Sequence, residues 1–313
     1  MKLILGFSIP LLFGNLFQQF YSMVDTMIVG RVLGTGPLAA VGSTGSITFL
    51  IIGFCLGLCS GFAIPVAQRF GSRDYKELRR FIGNAVWLCV GFGIVLTVLT
   101  VIFCRNILEL MGTPADIIDD AYAYLVVIFA GIPATFLYNM LAGIQRAIGD
   151  SRMPLYVLIV CCLANVVLDL LFVVVFHWGV FGVAFATILS QLISAVLLMI
   201  RLMGTQEAYR VELRKIRFHK DILKNVVRIG LPAGLQSVMY SFSNILIQAS
   251  INSFGTTAIA AWAAIGKIDG FIWMVMNAFG IAVTTFAGQN FGARQYDLSL
   301  IHISEPTRHA QIS

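Results

Sequence analysis

Three polar side chains with chemistry to offer sit in segments that are otherwise almost wholly apolar. Asp25 lies in Asp25-Thr26-Met27-Ile28-Val29-Gly30-Arg31, near the end of the first apolar run, and Asp169 closes Asn165-Val166-Val167-Leu168-Asp169 inside the fifth. A spacing of four puts the Asn165 amide and the Asp169 carboxylate on one face of a helix. Ionisable groups are costly in such surroundings, so each is a functional candidate by default. Two carboxylates at similar depth cannot both stay charged in a poorly solvated site unless a positive species joins them. The chemistry this pattern suits is therefore a shared proton or a bound Na+, with Asn165 beside the second acid. The plain alternative is that each acid caps a helix or snorkels to an interface, which suits Asp25 better than Asp169.

Weaker candidates for lining a cavity are Gln18 and Gln19 beside Asn15, Tyr138 and Asn139, Thr187, Ser190 and Gln191, and Gln248. Helix–helix hydrogen bonding explains any one of these equally well. Pro10, Pro65, Pro133 and Pro232 fall inside apolar runs, where each frees a backbone carbonyl; bending at Pro10 and Pro232 is the candidate moving part. Gly53, Gly57 and Gly61, at spacing four, read as close helix packing. The six cysteines all fall in apolar runs and read as small apolar side chains, not disulfides or ligands. His177, His219, His302 and His309 lie outside the runs, so no metal is expected beyond Na+ at Asp25, Asp169 and Asn165. No Gly-rich Lys-Ser/Thr loop for ATP is present, and no cofactor and no catalytic activity are expected.

The elements that hold these residues are membrane spans. Hydrophobic residues make up 58% of the 313 and charged residues 12%, and the mean hydropathy is +0.89, a composition foreign to soluble domains. Runs long enough to cross about 30 Å of hydrocarbon cover Leu3 to Val29, Leu38 to Ala67, Phe81 to Cys104, Ile117 to Ile144, Met153 to Phe176, Gly179 to Met203, Ile222 to Ile251 and Ala258 to Ala287. Eight spans are thus expected, in an all-α integral membrane protein. Arg69, Arg73, Lys76, Arg79 and Arg80 follow the second span, Arg146 and Arg152 the fourth, and seven more basic residues between Arg201 and Lys224 the sixth. The positive-inside rule then puts both termini and the even-numbered connections in the cytoplasm, with Asp25 and Asp169 toward the outside. The net charge of +6 is this topology signal and needs no nucleic-acid partner.

The chain also repeats itself. Gln68-Arg69-Phe70-Gly71-Ser72-Arg73-Asp74-Tyr75 returns as Gln289-Asn290-Phe291-Gly292-Ala293-Arg294-Gln295-Tyr296, an offset of 221 (68 to 289). Gly34-Thr35 and Ala39-Ala40 recur at the same offset, and Ile9-Pro10 recurs as Leu231-Pro232. An even number of spans per copy makes the repeats parallel, related by an axis along the membrane normal. The division expected is a six-span lobe over 1–203, a cytoplasmic linker over 204–221 and the start of a second lobe over 222–297. The tail 298–313, running Leu-Ser-Leu-Ile-His-Ile-Ser-Glu-Pro-Thr-Arg and onward, resembles a transposase sequencing adaptor read in frame and is expected to be non-native. An intact protein would then hold about twelve spans.

Taken together, Asp-Thr-Met-Ile-Val-Gly-Arg at the end of the first span, the stretch Asn139 to Asp150, the Asn165/Asp169 pair and the duplicated Gln-x-Phe-Gly-x-Arg resemble the multidrug and toxic compound extrusion (MATE) family. The resemblance runs from about residue 5 to 297 and implies a bacterial cytoplasmic-membrane antiporter. Its substrates would be amphipathic organic cations and other drugs, exported against inward H+ or Na+ by alternating access. It also implies that Asp25, Asp169 and Asn165 form the coupling site, and a monomer working with the lipid bilayer and no ATP. One branch of the family carries a further acid on span seven, which here reads Gln236, Ser237, Ser241, Asn244 and Gln248. A lipid-linked oligosaccharide flippase or polysaccharide exporter of related architecture is the alternative. It is expected to need a cationic residue inside the lobe cleft for the pyrophosphate, which these spans lack by sequence.

Overall fold

The computed structural model describes residues 2–207, 209–211, 218–252, 254 and 256–298; apart from Leu298, the expected non-native tail lies outside the described residues. Helix α1 (Lys2–Ile28) runs on into a π-helical stretch, Val29–Leu33, and Gly34, at a positive φ of 93° available to glycine, ends it. A short α2 (Thr35–Ser43) leads to a long α3 (Gly45–Gly71), which by itself makes the second span. Helix α4 (Tyr75–Leu110) is N-capped by Asp74, whose carboxylate accepts the Glu77 N–H at 3.1 Å. Its 36 residues are about 54 Å long at 1.5 Å per residue, so its polar first turns project beyond the hydrocarbon. Helices α5 (Ile118–Ala130) and α6 (Ile132–Ala147) form one span bent by 46°. The break has a local cause: Pro133 supplies no N–H to the preceding turn, and Gly131 gives room where a Cβ would overlap Ile188.

Helix α7 (Arg152–Asp169) starts where Asp150 accepts the N–H groups of Arg152 and Met153, both at 3.0 Å, and also ends in a π-helical stretch, Leu170–Val175. Helix α8 (Gly179–Gly204), α9 (Lys220–Asn252) and α10 (Thr256–Gly292) complete the chain. Among the described residues, six helices are long and apolar enough to cross a membrane, with the bent α5–α6 pair a seventh. The expected seventh run corresponds to α9, which stands outside that group. It forms over the expected residues, but Gln236, Ser237, Ser241, Ser243, Asn244, Gln248 and Ser250 make it more polar than the others.

One core joins α3, α4, α5, α6 and α8, with Phe62, Phe129, Phe136, Ile82 and Ile144 fully buried in it. Lipid is as apolar as these side chains, so their stabilising role is close packing more than removal from water. Around that core α1 packs on α7 and α7 on α8, closing a six-span bundle. The later helices dock on its open side, α9 against α3, and α10 against α3 and α1.

The two copies of the repeated motif fold alike and meet. Arg73 and Arg294 have φ of 59° and 60°, and Phe70 and Phe291 each pack edge-on against the tyrosine five residues later. At the ends of α3 and α10 the helices touch backbone to backbone: a methyl group on Gly71 would overlap the Gln289 carbonyl, and one on Gly292 the Gln68 carbonyl. This reciprocal contact is what a two-fold axis between repeats demands. Because two C-terminal helix ends meet, the axis runs along the helices, as parallel repeats require.

Candidate coupling site and cavities

Packing of α1 on α7 brings Asp25 and Asp169 together, 144 residues apart in the chain (25 to 169). Their carboxyl groups lie within reach of the hydrogen bond that one shared proton would make between them. Asp169 is fully buried and Asn165, one turn earlier on α7, is 1% exposed. Asp25 Oδ1, both Asp169 oxygens and both polar atoms of the Asn165 amide are buried without a hydrogen-bond partner. A buried polar atom left unpaired costs about 1–3 kcal/mol, and five in one place is far beyond ordinary core irregularity. The carboxylate oxygens with the amide oxygen suit a proton or a hard monovalent cation. Among the described residues no group of three or more His, Cys, Asp or Glu is placed to hold a metal ion.

Both acids stand just before a π-helical stretch, Asp25 four residues before Val29 and Asp169 next to Leu170. Such stretches recur at functional sites because the wider turn re-aims side chains and leaves the hydrogen-bond ladder adjustable. Val29, Val173 and Val183 pack as a small apolar cluster beyond the acids. Tyr21 of α1 stands near Asp25, and Tyr124 of α5 near both acids.

The expected cavity residues divide. Gln18, Tyr138, Asn139 and Gln191 line one inner cavity of about 120 Å³ together with Pro10, Asn15, Tyr21, Thr135 and Arg146. There the Thr135 hydroxyl donates to Gln191 Oε1 at 2.5 Å. Gln19, with Gln18 again, lines a cavity of about 300 Å³ between α1 and α10, beside Trp273 and Asn277. Gln248 lies elsewhere, in an open cleft of about 650 Å³ between the start of α3 and α9, with Ser241 and Asn244. Thr187 belongs to none of these cavities; its hydroxyl donates to the Val183 carbonyl of its own helix at 3.0 Å. Pro232 is exposed on α9.

One expectation is overturned. The lobe does hold a cationic residue: Arg146, assigned by sequence to the loop after the fourth span, lies within α6 and lines both the inner cavity and another of about 210 Å³ between α3, α6 and α10. Arginine one residue from a helix end reads as a topology signal, which hid it. The available clue was its spacing of seven from Asn139, which returns both to one face of α6.

The helices pack closely at the Arg-rich end, and a cleft lies between α3 and α9 at the other. Toward the Arg-rich end Phe7, Leu11, Ala278 and Ala282 cluster between α1 and α10, and Gly61 of α3 abuts Gly230 of α9. Further along, Asn15 Nδ2 reaches the Met274 carbonyl at 3.5 Å, and beyond it a Cβ on Gly266, Gly270 or Gly45 would meet nothing within 4 Å. The cleft holding Gln248 opens at this end.

The family model described as MatE matches residues 10–171 and 232–299. The chain is 33% identical over 298 residues to "Probable multidrug resistance protein YoeA" of Bacillus subtilis (strain 168), an alignment covering 93% of this chain and 64% of that protein. The chain thus spans less than two thirds of that relative's length. Among solved structures it is similar to a MOP superfamily transporter from Pyrococcus furiosus Vc1, for which reverse polarity of the binding pocket suggests a different function. That match has a TM-score of 0.89 at 25% identity, covering 96% of this chain and 67% of the other. It also superposes on an outward-facing multidrug resistance MATE family transporter with a TM-score of 0.88 at 24% identity, covering 96% and 68%.

Proposed function

Since the chain belongs to the MatE family of membrane transporters, we propose that the whole protein is a cation-coupled multidrug antiporter of a bacterial cytoplasmic membrane. It exchanges amphipathic organic cations and other drugs against H+ or Na+ by alternating access. The observation that carries this reading is the buried Asp25/Asp169/Asn165 cluster with its five unpaired polar atoms. Two carboxylates that cannot remain charged side by side take up a cation, and that uptake changes how tightly α1 can close on α7 at their π-helical ends. A ligand shifts an equilibrium only by its differential affinity for the two states. Drug and coupling ion, favouring different states of one bundle, therefore oppose one another.

With the Arg-rich end cytoplasmic, the close packing of α3, α9, α1 and α10 there and the cleft between α3 and α9 at the far end support reading this as a state closed inside and open outside. The acids then face the side from which the driving ion enters. One cation moving down 100 mV supplies about 2.3 kcal/mol, roughly a 40-fold gradient of an uncharged drug, whereas a monovalent organic cation exchanged one for one draws only on the concentration gradient of the driving ion. Arg146 offers the cation a lipid-linked sugar flippase would need, but one guanidinium suits one anionic group more than a pyrophosphate, and the relative's name speaks of drug resistance.

The test uses the full-length protein in everted vesicles. Asp169→Asn keeps the shape of the site and removes its titrating group, and should abolish gradient-driven efflux with normal insertion. Asp25→Asn should do the same or uncouple it. Wild-type transport by both variants, with unchanged pH and Na+ dependence, would move the coupling site to spans this chain does not contain.

A further inference from the structure

We propose that Arg146 anchors an oxyanion subsite in the inner cavity, which receives the carboxylate or phosphate of a zwitterionic or anionic amphiphile. This rests on reading that cavity as the place where substrate binds. Among the described residues the Arg146 guanidinium makes no ion pair and no hydrogen bond, although its helix runs through the middle of the lobe. No acid appears among the residues lining either cavity that it borders. A guanidinium inside a bundle is ordinarily paired with a carboxylate or with backbone carbonyls; this one is left to whatever enters the cavity.

Its surroundings suit an anion. Gln18 brings its amide and Tyr138 a phenol to the inner cavity, where Asn139 and Asn15 each keep a second amide N–H beyond the one given to the Thr135 and Met274 carbonyls, while Asn277 and Thr284 of α10 supply donors on the other side. The planar fork of arginine donates two parallel hydrogen bonds to a carboxylate or phosphate, a geometry lysine cannot reproduce. Apolar lining from Leu11, Leu155 and Leu158 accommodates the tail of the same molecule. An anion held here lies on α6, apart from the acids at the far ends of α1 and α7, so anionic substrate and driving cation do not compete for one set of ligands.

The experiment is equilibrium binding to the purified protein in neutral detergent, with a dansyl-labelled undecanoate, its uncharged methyl ester and its trimethylammonium counterpart. Wild type should bind the carboxylate about ten- to a hundredfold more tightly than the ester, the range expected of charge-assisted hydrogen bonds. Arg146→Gln should weaken carboxylate binding to the level of the ester and strengthen ammonium binding, since the repelling charge is gone, while Arg146→Lys should keep a reduced preference for the carboxylate. Equal binding of carboxylate and ester by wild type, or a loss in Arg146→Gln shared by all three probes, would overturn the proposal. The binding is read without any ion gradient, so its outcome is independent of whether export is cation-coupled.

Discussion

Replacing Gly71 or Gly292 with alanine should loosen the closed end of the transporter. The new methyl group at either position overlaps a backbone carbonyl of the facing helix, Gln289 or Gln68. Backbone cannot rotate away as a side chain would, so α3 and α10 must separate by about an ångström, and overpacking of this kind costs about 1–3 kcal/mol. The cost falls on the closed state alone, so the equilibrium between the two states shifts about 5- to 150-fold toward the form open at the Arg-rich end. The two substitutions should not add, because the second methyl enters an interface already parted by the first. The assay is labelling of Asn277→Cys, on the wall of the cavity between α3, α6 and α10, by an impermeant maleimide applied to the cytoplasmic face of inside-out vesicles. The six native cysteines are buried and contribute little background. Labelling should accelerate in either alanine variant by the factor above while gradient-driven export falls. Gly91→Ala, where a Cβ meets nothing within 4 Å, is the control and should leave both unchanged. If Gly71→Ala and Gly292→Ala label and transport like wild type, the reciprocal glycine contact is not the closure.

Gln289 Nε2 donates to the Ala147 carbonyl at 2.8 Å, holding α10 to the end of α6; Gln289→Leu should lower stability by about 1 kcal/mol, read as a downward shift in thermal unfolding. Asn165→Ala removes a neutral partner and not a titrating group, so it should raise the concentration of driving ion needed for half-maximal efflux without abolishing transport; loss as complete as in Asp169→Asn would contradict the role given to the amide. Gly131→Ala should destabilise the α5–α6 bend by about 1–3 kcal/mol through overlap with Ile188, and Ile188→Ala in the same chain should restore much of it. No recovery in the double variant would show that the glycine is needed for backbone conformation and not for room.

Several features of this protein follow from sequence because they depend on a few neighbouring residues. Apolar runs between charged segments correspond to α1, α3, α4, α7 and α8 because a buried backbone must hydrogen-bond within its own helix. The spacing of Asn165 and Asp169 settles their common face, and the repeated Gln-x-Phe-Gly-x-Arg yields the same left-handed turn at Arg73 and Arg294. What sequence leaves undecided is which faces meet. In lipid an inward and an outward leucine look alike, so composition carries no inside–outside signal of the kind that marks a soluble core. Only the packing of α1 on α7 brings Asp25 to Asp169, and only the position of α6 between two cavities turns Arg146 from a topology marker into an interior cation. The same holds for Gln248, which parts from Gln18 and Asn139 because α9 docks on α3 and not on α6. Local hydrogen bonding wrote the helices into the sequence; the contacts between helices distant in the chain, each the outcome of shape and not of polarity, came from the tertiary structure alone.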